Sequence, residues 1–579
     1  MNYDATQTGR TRLAATGFLL IVVLLIFLGR LFYLQVIKHS QYQALADQGQ
    51  HAKYEIAPER GEIYILDGEE QVPLVLNETR YTLFADTRYF EDEITEIADQ
   101  LTKITGDKSA TYTKRLESGG AYVVLKTRVD KADAEKVRQL DIKGVGLKAV
   151  PTRSYPEGRL ASHVAGFVND DGVGQYGIEQ YHEKRIGGEP GLIDSAKDVR
   201  GIPIVTDDTI QIEAKDGEDV VLSIDRDFQG QVEQVLKEQT KRLKAQGASA
   251  VIMDVQTGQI KAMANYPDFA PQNYFKTKDA SAYVNDSITN IYEPGSIMKI
   301  FSMSAGLNEG AVTPDQTFND PGCTTVDSYK ICNAGDSRAG TRTVSDIITN
   351  SLNTGSIFVL EELGDGDINS KGKDLLYEYL GKRFRFGKET GVELVGEEEG
   401  VLSKPEGSSD VRYANMAFGQ GVSINMLQAT SALSSILNDG MYRQPTIISG
   451  WLNNTGDFEE HKSEVYSHNA VSPKTAAQIK KMMESVVERG SGVVAYKPGY
   501  KIGGKTSTAE IPHPDGGYYE DREIGSFLGY ITSDDPRYVI MVRVDDPQIG
   551  RFAGSDAAAP VFAEIAHWLI EKEGIPPSK

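Results

Sequence analysis

The stretch EPGSIMKIF, residues 293–301, sets a lysine among apolar residues, three positions after a serine. Pro294-Gly295 interrupts the chain just before Ser296, so the sequence predicts that a helix begins at or near this serine. Three residues make about one helical turn, so Ser296 and Lys299 would lie on the same face of that helix. This pattern alone is more typical of an ordinary amphipathic helix, in which the lysine side chain extends to solvent, than of a catalytic serine-lysine pair.

A lysine in this setting can nevertheless act as a base. Burial or a nearby second cation lowers the pKa of an amine, and a neutral amine can take the proton of a serine hydroxyl. The unpaired N–H groups at a helix start also favour negative charge that develops there. The interpretation therefore depends on whether the chain supplies a second cation and further polar groups.

A second string, NSLNTGS at 350–356, follows a predicted helix and places Ser351 and Asn353 two residues apart. The same SxN spacing occurs in SIN at 423–425 and in SHN at 467–469. Ser351 is preferred because the string at 423 belongs to a separate run, AFGQGVSINMLQAT. A hydroxyl and an amide at this spacing could relay a proton and hold a peptide.

A third string, KIGGKTSTAE at 501–510, reads as a strand and supplies a second cation, Lys505, followed by Thr506 and Thr508. An SxxK, an SxN and a K-[ST]-x-[ST] strand in this order are typical of active-serine, penicillin-recognising enzymes. A rival Ser-His-Asp site would call for a GxSxG elbow, and the sequence contains none.

The regions around these strings predict the fold. ASAVIMDVQTGQIKAMANY at 248–266 predicts a hairpin that turns at Thr257-Gly258, and IGSFLGYITSDDPRYVIMVRV at 524–544 predicts another at SDDP. PVFAEIAHWLIEKE at 560–573 predicts an amphipathic helix. Strands at both ends of this segment with helices between them favour an α/β (α+β) fold, an antiparallel sheet packed with helices.

With these residues in hand, the chain resembles a class B penicillin-binding protein over nearly its whole length. Further strings outside the three motifs carry the resemblance: RLFYLQVIKHSQY, ERGEIY, SYPEGRLASHVAGFV, GQYGIEQYHE, GEPG, VIMDVQTGQIKAMANYPDF, FGQGVSINMLQATSALSSILNDG and DAAAPVF. The resemblance implies the penicillin-binding transpeptidase fold, preceded by an elongated mixed pedestal domain and one N-terminal transmembrane helix.

The resemblance implies a DD-transpeptidase that cross-links peptidoglycan stem peptides, with a D-Ala-D-Ala donor and an amine acceptor, and that is trapped by β-lactams. Ser296 would attack the penultimate D-alanine and Lys299 would be the general base. Ser351 with Lys505 would relay a proton to the departing D-alanine. No cofactor and no metal are implied.

Three further residues would bind the substrate in this scheme. Asn353 would hold the amide of the donor, and Thr506 and Thr508 would bind its terminal carboxylate near Lys505. The backbone N–H groups of Ser296 and Thr508 would form the oxyanion hole.

The sequence departs from the family in two places. The third position of the strand motif is usually glycine and is Ser507 here, where a side chain could narrow the site or point away. In the pedestal, Ile65 and Leu66 replace an Asp-Arg pair. We therefore expect that a structural ion pair is lost and that no catalytic group is affected.

Composition limits the other possibilities. The chain has 579 residues and a formal net charge of −22, which argues against a nucleic-acid surface. The eight histidines are scattered without an HExxH string, so metal-dependent hydrolysis has no support. The two cysteines, Cys323 and Cys332, are compatible with a local disulfide or with two reduced thiols.

The start of the chain predicts a membrane anchor. LAATGFLLIVVLLIFLG at 13–29 carries no charge, and Arg30 is followed by the apolar LFYLQVI. Arg10 and Arg12 precede the run, so the positive-inside rule puts the N-terminus in the cytoplasm and the rest outside. The alternative, a cleaved signal peptide, has a shorter apolar core and a small-residue cleavage site.

The predicted organisation is a cytoplasmic tail at 1–12, a transmembrane anchor at 13–36, a pedestal (dimerisation-like) domain at 37–235 and a transpeptidase domain at 236–575. No glycosyltransferase region fits before the last of these, so the resemblance implies a multi-pass membrane glycosyltransferase of the SEDS type and divisome proteins as partners. The modest length of the pedestal favours the division type over the elongation type.

Two rival functions use the same fold. A membrane-anchored β-lactamase or β-lactam sensor would need an efficient deacylating base or several membrane spans, and the sequence indicates neither. A catalytically weak divisome scaffold would have a degenerate site, and Ser507 is the one feature that supports it. Covalent labelling by a fluorescent penicillin that is lost in Ser296→Ala would support an acyl-serine enzyme; if neither chain is labelled, a donor-peptide or thioester turnover assay separates a scaffold from a low-affinity enzyme.

Overall fold

The computed structural model describes residues 5–42, 51–197, 203–204, 210–335, 339–453, 455–513, 516–532 and 536–578. The chain forms two compact units. Met1–Glu59 and Gly188–Gly217 make up the first, and Arg60–Gly187 and Glu218–Lys579 make up the second.

The first unit begins with an apolar helix, α1 (Ala5–Phe32), which continues as a π-helical turn, Tyr33–Ile37. Its segment Arg10–Ile37 has 28 residues and a mean hydropathy of 2.5. At ~1.5 Å per residue it is about 42 Å long, enough to cross a bilayer core of about 30 Å. Within the residues that the structure describes, it is the one helix with that length and composition, and the predicted span at 13–36 lies inside it.

The rest of the first unit is a small antiparallel sheet. Its strands are His51–Ile56, Gly191–Lys197, Pro203–Ile204 and Ile210–Ile212. Gly191–Lys197 is central and pairs with each of the other three.

The second unit contains a seven-stranded sheet that joins residues distant in sequence. Its strands, in spatial order, are Phe458–Glu460, Ile448–Leu452, Asp219–Asp225, Ile63–Asp67, Glu70–Ala85 and Val123–Val129, with Val145–Ser154 also paired to Glu70–Ala85. A tight turn follows Ile63–Asp67, because Asp67 pairs with Glu70. Ile65, at the position of the missing Asp-Arg pair, is buried in the apolar core.

Three helices cover one end of this sheet: Ile94–Thr105, Ser109–Glu117 and Lys131–Gln139. Ile97 and Leu101 lie one turn apart on the first of them and are fully buried. They form an apolar cluster with Leu83 and Leu125 of the sheet, which holds this part of the chain together. Shorter helices follow at Ser162–Ala165, Gly177–Tyr181 and Glu183–Ile186.

A buried carboxylate ties these short helices to the sheet. Glu179 is inaccessible to solvent and lies 2.5 Å from the Arg60 guanidinium and 2.9 Å from that of Arg153. Arg153 also donates to the Gly61 carbonyl at 2.6 Å. The charges compensate one another, so removal of the carboxylate would leave Arg153 without an ion partner in a poorly solvated place and Arg60 with Glu183 alone.

We therefore expect Glu179→Gln to lower the free energy of unfolding by about 3–5 kcal/mol, the usual cost of breaking a buried ion pair. Urea denaturation followed by circular dichroism measures it. Glu135→Gln is the control, because Glu135 pairs with Arg138 at the surface, and it should unfold like the wild type. Equal stability of the two variants would contradict a structural role for Glu179.

The site is built on a second, five-stranded antiparallel sheet. Its strands are β1 (Gly247–Asp254), β2 (Ile260–Tyr266), β3 (Lys501–Pro512), β4 (Tyr518–Thr532) and β5 (Tyr538–Asp545). The spatial order is β2-β1-β5-β4-β3, so β3 is an edge strand. Both predicted hairpins are present, although most of the SDDP turn of the second lies outside the described residues.

The sheet is packed with helices, as predicted, and they cover both of its faces. Ile252 and Val542 belong to one apolar cluster, whereas the adjacent Val251 and Met541 belong to the other, because successive residues of a strand point to opposite faces. All eight residues of β1 are consequently buried. On the first face lie α2 (Arg226–Leu243) and the predicted C-terminal helix, Ala559–Lys572.

The larger group of helices belongs to the other face. These helices are Asp286–Thr289, α3 (Met298–Asn308), Val344–Thr349, α4 (Asn353–Leu363), Ser370–Tyr377, Asp410–Phe418, Met426–Leu437 and Pro473–Arg489. Short strands connect them: Thr317–Asp320, Cys323–Val326, Tyr329–Cys332, Gly340–Thr343, Tyr442–Arg443 and Val465–Ser467. The predicted domain boundary at 235/236 falls inside α2 and stays a prediction.

Candidate active site

The predicted helix start at EPGSIMKIF is present. A 3-10 turn, Gly295–Ile297, leads into α3, and Ser296 lies in that turn. Gly295 has φ +51°, a conformation that glycine adopts without strain. The turn thus places the Ser296 hydroxyl at the N-terminal end of α3.

Lys299 is fully buried on α3, and its neighbours Met298 and Ile300 are buried as well. Its Nζ lies 3.0 Å from Ser296 Oγ, 2.7 Å from the Ser351 carbonyl oxygen and 2.7 Å from Asn353 Oδ1. Burial, and secondarily the charge of Lys505, holds the pKa of this amine well below its ordinary value. A neutral amine has a lone pair, so Lys299 is able to accept a proton from Ser296.

Ser351 connects the two lysines. It lies between helices Val344–Thr349 and α4 with φ +58°, a strained conformation for a serine and one often found at functional sites. Its Oγ is 2.8 Å from Ser296 Oγ, 3.2 Å from Lys299 Nζ and 3.0 Å from Lys505 Nζ. A single hydroxyl is thus in hydrogen-bond contact with the serine and with both amines.

Lys505 comes from β3 and is also fully buried. Besides Ser351, its amine donates to the Thr506 carbonyl at 3.1 Å. Burial lowers the pKa of Lys505 to about 7. This amine therefore titrates near neutral pH, which suits a group that both gives and takes a proton.

The lowered pKa of Lys505 predicts a pH-dependent stability. Between about pH 7 and the ordinary lysine pKa of 10.5, the unfolded chain holds a proton that the folded chain lacks. Stability conferred by this residue is therefore lost as pH falls through this range, by up to about 1.4 kcal/mol per pH unit. We expect Lys505→Met to melt higher than the wild type at pH 7, with the gap closing towards pH 10. Melting curves whose separation does not change with pH would contradict this.

Asn353 begins α4 and uses both ends of its amide. Its Oδ1 contacts Lys299, and its Nδ2 donates to the Cys332 carbonyl at 2.9 Å. Cys332 closes a hairpin with Cys323, and the two are joined by a disulfide, one of the two alternatives left open by the sequence. The hairpin therefore helps to orient the amide next to the lysine.

The two threonines of β3 differ in their surroundings. Thr506 is 7% exposed, and its Oγ1 is 2.5 Å from Ser491 Oγ. Thr508 is half-buried, and its Oγ1 accepts from the Gly554 N–H at 3.0 Å. Both lie on the edge strand that carries Lys505, so the structure brings all seven predicted site residues onto three adjoining segments.

Sequence reasoning missed the residues that support this arrangement. Asp320 is fully buried and accepts from Thr354 Oγ1 at 2.7 Å and from Asn333 Nδ2 at 3.1 Å, which fixes the start of α4. Asn333 and Ser491 lie in short polar strings that resemble ordinary turns, so no local signal distinguishes them. Their roles depend on contacts between segments distant in sequence.

The two competing SxN strings have other roles. Asn425 caps helix Met426–Leu437, where it forms a capping box with Gln428. Ser467 and Asn469 hydrogen-bond each other in an exposed turn. Within the described residues, no group of three or more His, Cys, Asp or Glu side chains is placed to hold a metal ion.

Comparison with known proteins extends these observations. Residues 248–567 match the penicillin-binding protein transpeptidase domain, and residues 55–222 match the penicillin-binding protein dimerisation domain. Stage V sporulation protein D of Bacillus subtilis is 32% identical over 99% of this chain and 87% of its own length. The peptidoglycan D,D-transpeptidase FtsI of Escherichia coli is 28% identical over 96% of this chain and 91% of its own length.

The fold agrees with solved structures of such proteins. The crystal structure of penicillin-binding protein 3 from Mycobacterium tuberculosis complexed with aztreonam superimposes with a TM-score of 0.70 at 26% identity. The superposition covers 91% of this chain and 98% of the chain in the crystal structure.

Proposed function

This chain belongs to the class B penicillin-binding proteins, and on that premise we propose the part that each active-site residue plays in its reaction. The protein is a serine-type D-Ala-D-Ala transpeptidase of peptidoglycan synthesis. Its family acts on peptidoglycan stem peptides and binds β-lactams.

Ser296 is the nucleophile and Lys299 its general base. The hydroxyl oxygen attacks the carbonyl carbon of the penultimate D-alanine, and its proton passes to Lys299 Nζ, 3.0 Å away. The backbone N–H groups of Ser296 and Thr508 donate hydrogen bonds to the carbonyl oxygen as it becomes negative. Removal of one such donor typically costs about 10²–10³-fold in rate.

Ser351 and Lys505 complete the first half of the reaction. When the C–N bond to the terminal D-alanine breaks, the leaving nitrogen needs a proton. Ser351 Oγ is 3.0 Å from Lys505 Nζ and 3.2 Å from Lys299 Nζ, so it can deliver a proton from either amine. The products of this step are free D-alanine and an ester on Ser296.

Asn353, Thr506 and Thr508 bind the donor. Asn353 holds its peptide amide, and the threonine hydroxyls hold its terminal carboxylate beside Lys505. Thr506 exchanges its bond with Ser491 for one with the carboxylate, because that neutral pair is weaker than a charge-assisted bond.

The second half of the reaction uses the same groups. The amine of a neighbouring stem peptide attacks the ester carbonyl and gives a proton to Lys299, and Ser296 takes its proton back as the C–O bond breaks. A new peptide bond joins the two stems. A β-lactam enters as the donor does, but its ring-opened product stays attached to Ser296.

The observation that carries these roles is the four-atom contact of Ser296 Oγ, Lys299 Nζ, Ser351 Oγ and Lys505 Nζ within 2.8–3.2 Å. Intact-protein mass spectrometry after incubation with a penicillin tests it. We expect one adduct per chain, located by peptide mapping on the fragment that contains residue 296. An adduct at another serine would refute the assignment.

We further assign the N-terminus to the cytoplasm and the catalytic domain to the outside, because Arg10 and Arg12 precede the anchor. An impermeant thiol reagent applied to whole cells should label Glu117→Cys and not Gln7→Cys; the reverse pattern would overturn this orientation. The domain limits 1–12, 13–36, 37–235 and 236–575 are part of the same assignment.

The polymerising partner is a multi-pass membrane glycosyltransferase of the SEDS type that acts with divisome proteins. The dimerisation-domain match occupies residues 55–222, where a glycosyltransferase region of this chain would lie. The modest length of this pedestal favours the division type. Replacing α1 by an unrelated single-pass helix should abolish co-purification with this partner, and unchanged co-purification would exclude contact through the anchor.

A further inference from the structure

Ser507, which stands where the family usually has glycine, has a side chain that is buried inside the protein. Its side chain is 2% exposed, and its Oγ has no hydrogen-bond partner among the described residues. A buried hydroxyl without a partner is unfavourable, and proteins contain few of them. Packing contacts, and not hydrogen bonds of the hydroxyl, therefore hold the Ser507 side chain in place.

Ser507 is held between the backbones of two glycines. A Cβ added to Gly295 would lie 2.4 Å from Ser507 Oγ, so the hydroxyl occupies the space that a side chain at position 295 would need. On the opposite side, a Cβ added to Gly554 would lie 2.3 Å from the Ser507 carbonyl oxygen. Only the Gly295 contact involves the side chain of residue 507, so a change in the size of that side chain acts on the turn that carries Gly295.

These contacts connect the two halves of the oxyanion hole. Gly295 immediately precedes Ser296, and Ser507 immediately precedes Thr508. We propose that Ser507 is a positioning residue whose side chain sets the distance between the turn Gly295–Ile297 and β3, and thereby the separation of the Ser296 and Thr508 N–H groups. This inference rests on the proposed acyl-serine mechanism.

The physical reason is the narrow tolerance of such a site. The two N–H groups must both lie about 2.7–3.1 Å from the oxygen that becomes negative in the transition state. The ground-state donor is held by Asn353, Thr506 and Thr508, none of which forms a hydrogen bond with the Ser507 hydroxyl. A shift of the turn should therefore slow acylation more than it weakens initial binding.

The test measures acylation of the full-length chain in detergent by a fluorescent penicillin in stopped flow, which separates initial binding from the acylation rate constant. Ser507→Gly and Ser507→Ala are expected to lower the acylation rate constant about tenfold while the initial dissociation constant stays within threefold. Ser526→Ala is the matched control, because Ser526 is a buried serine on the neighbouring strand β4, where it pairs with Ser507. It should leave both constants within twofold of the wild type.

A double-mutant cycle makes the contact itself testable. Gly295→Ala places a methyl group against Ser507 Oγ and should lower the acylation rate constant at least a hundredfold. In the Ser507→Gly background the same change should cost less than tenfold, because the clash is gone. The strain of alanine at φ +51° is common to both backgrounds and cancels.

The outcomes separate this inference from the function on which it rests. Equal effects of Gly295→Ala in both backgrounds, or acylation by both Ser507 variants within twofold of the wild type, would overturn the positioning role alone. A wild-type chain that is not acylated at Ser296 would overturn both proposals. Thermal melting of each variant identifies a loss of folding, and Ser507→Ala, the smallest change, still decides the case if Ser507→Gly is unstable.

Discussion

Replacing Ser296 by alanine is expected to abolish covalent labelling by a fluorescent penicillin and to lower transpeptidation by a factor of roughly 10⁴ or more, as loss of a catalytic serine does elsewhere. Without Oγ no ester can form, although Lys299, Ser351 and Lys505 remain in contact with one another. The loss should appear in the acylation rate and leave initial binding of the penicillin nearly unchanged. Labelling of membranes followed by gel fluorescence measures the covalent labelling, and stopped flow measures the initial binding of the penicillin.

The control for this variant is Ser304→Ala. Ser304 is a fully buried serine on the same helix, and its Oγ donates to the Ile300 carbonyl, away from the site. It should keep normal labelling, so any general damage to α3 is excluded. Equal labelling of wild type and Ser296→Ala would remove Ser296 from the mechanism.

Replacing Lys299 has the second-largest expected effect. Lys299→Met keeps a long side chain in the buried space but removes the base, which should lower the acylation rate constant by about 10²–10⁴-fold. Lys299→Arg should be as inactive at every pH, because a guanidinium stays protonated. In the wild type, the pKa of Lys299 is lowered chiefly by burial and then by Lys505, so the rate should fall only as the pH drops through that lowered value.

Lys261→Met is the matched control for the lysine variants. Lys261 lies on β2, outside the site, and burial lowers its pKa as well. It should retain the wild-type acylation rate and pH profile. Acylation by Lys299→Met within tenfold of the wild type would show that another group, of which Lys505 is the nearest candidate, takes the Ser296 proton.

The local elements could be predicted from the sequence, because their signals are local. The hairpins, the apolar anchor and the helix start at Ser296 each depend on spacing over a few residues, which the backbone periods of 2 and 3.6 convert directly into a face or a turn. The three motifs and their order could also be identified from the sequence, because this requires only that residue types match at a given spacing.

Other features depend on long-range contacts. Ser296 and Ser351 are 55 residues apart in sequence, and Ser351 and Lys505 are 154 apart, yet their polar atoms lie within hydrogen-bond distance. No local pattern specifies such distances. The same holds for Asp320 and Ser491, which lie in unremarkable polar strings and act only through what packs against them.

The sequence by itself determined which chemical groups this protein has and in what order, because those depend on residue identity and local spacing. Only the tertiary structure decided how they behave. Lys299 and Lys505 lose their solvent when helices and β3 close around them, and this burial lowers the pKa of both amines. The tertiary structure also directed the Ser507 side chain towards Gly295, because the space that receives it is formed by another segment.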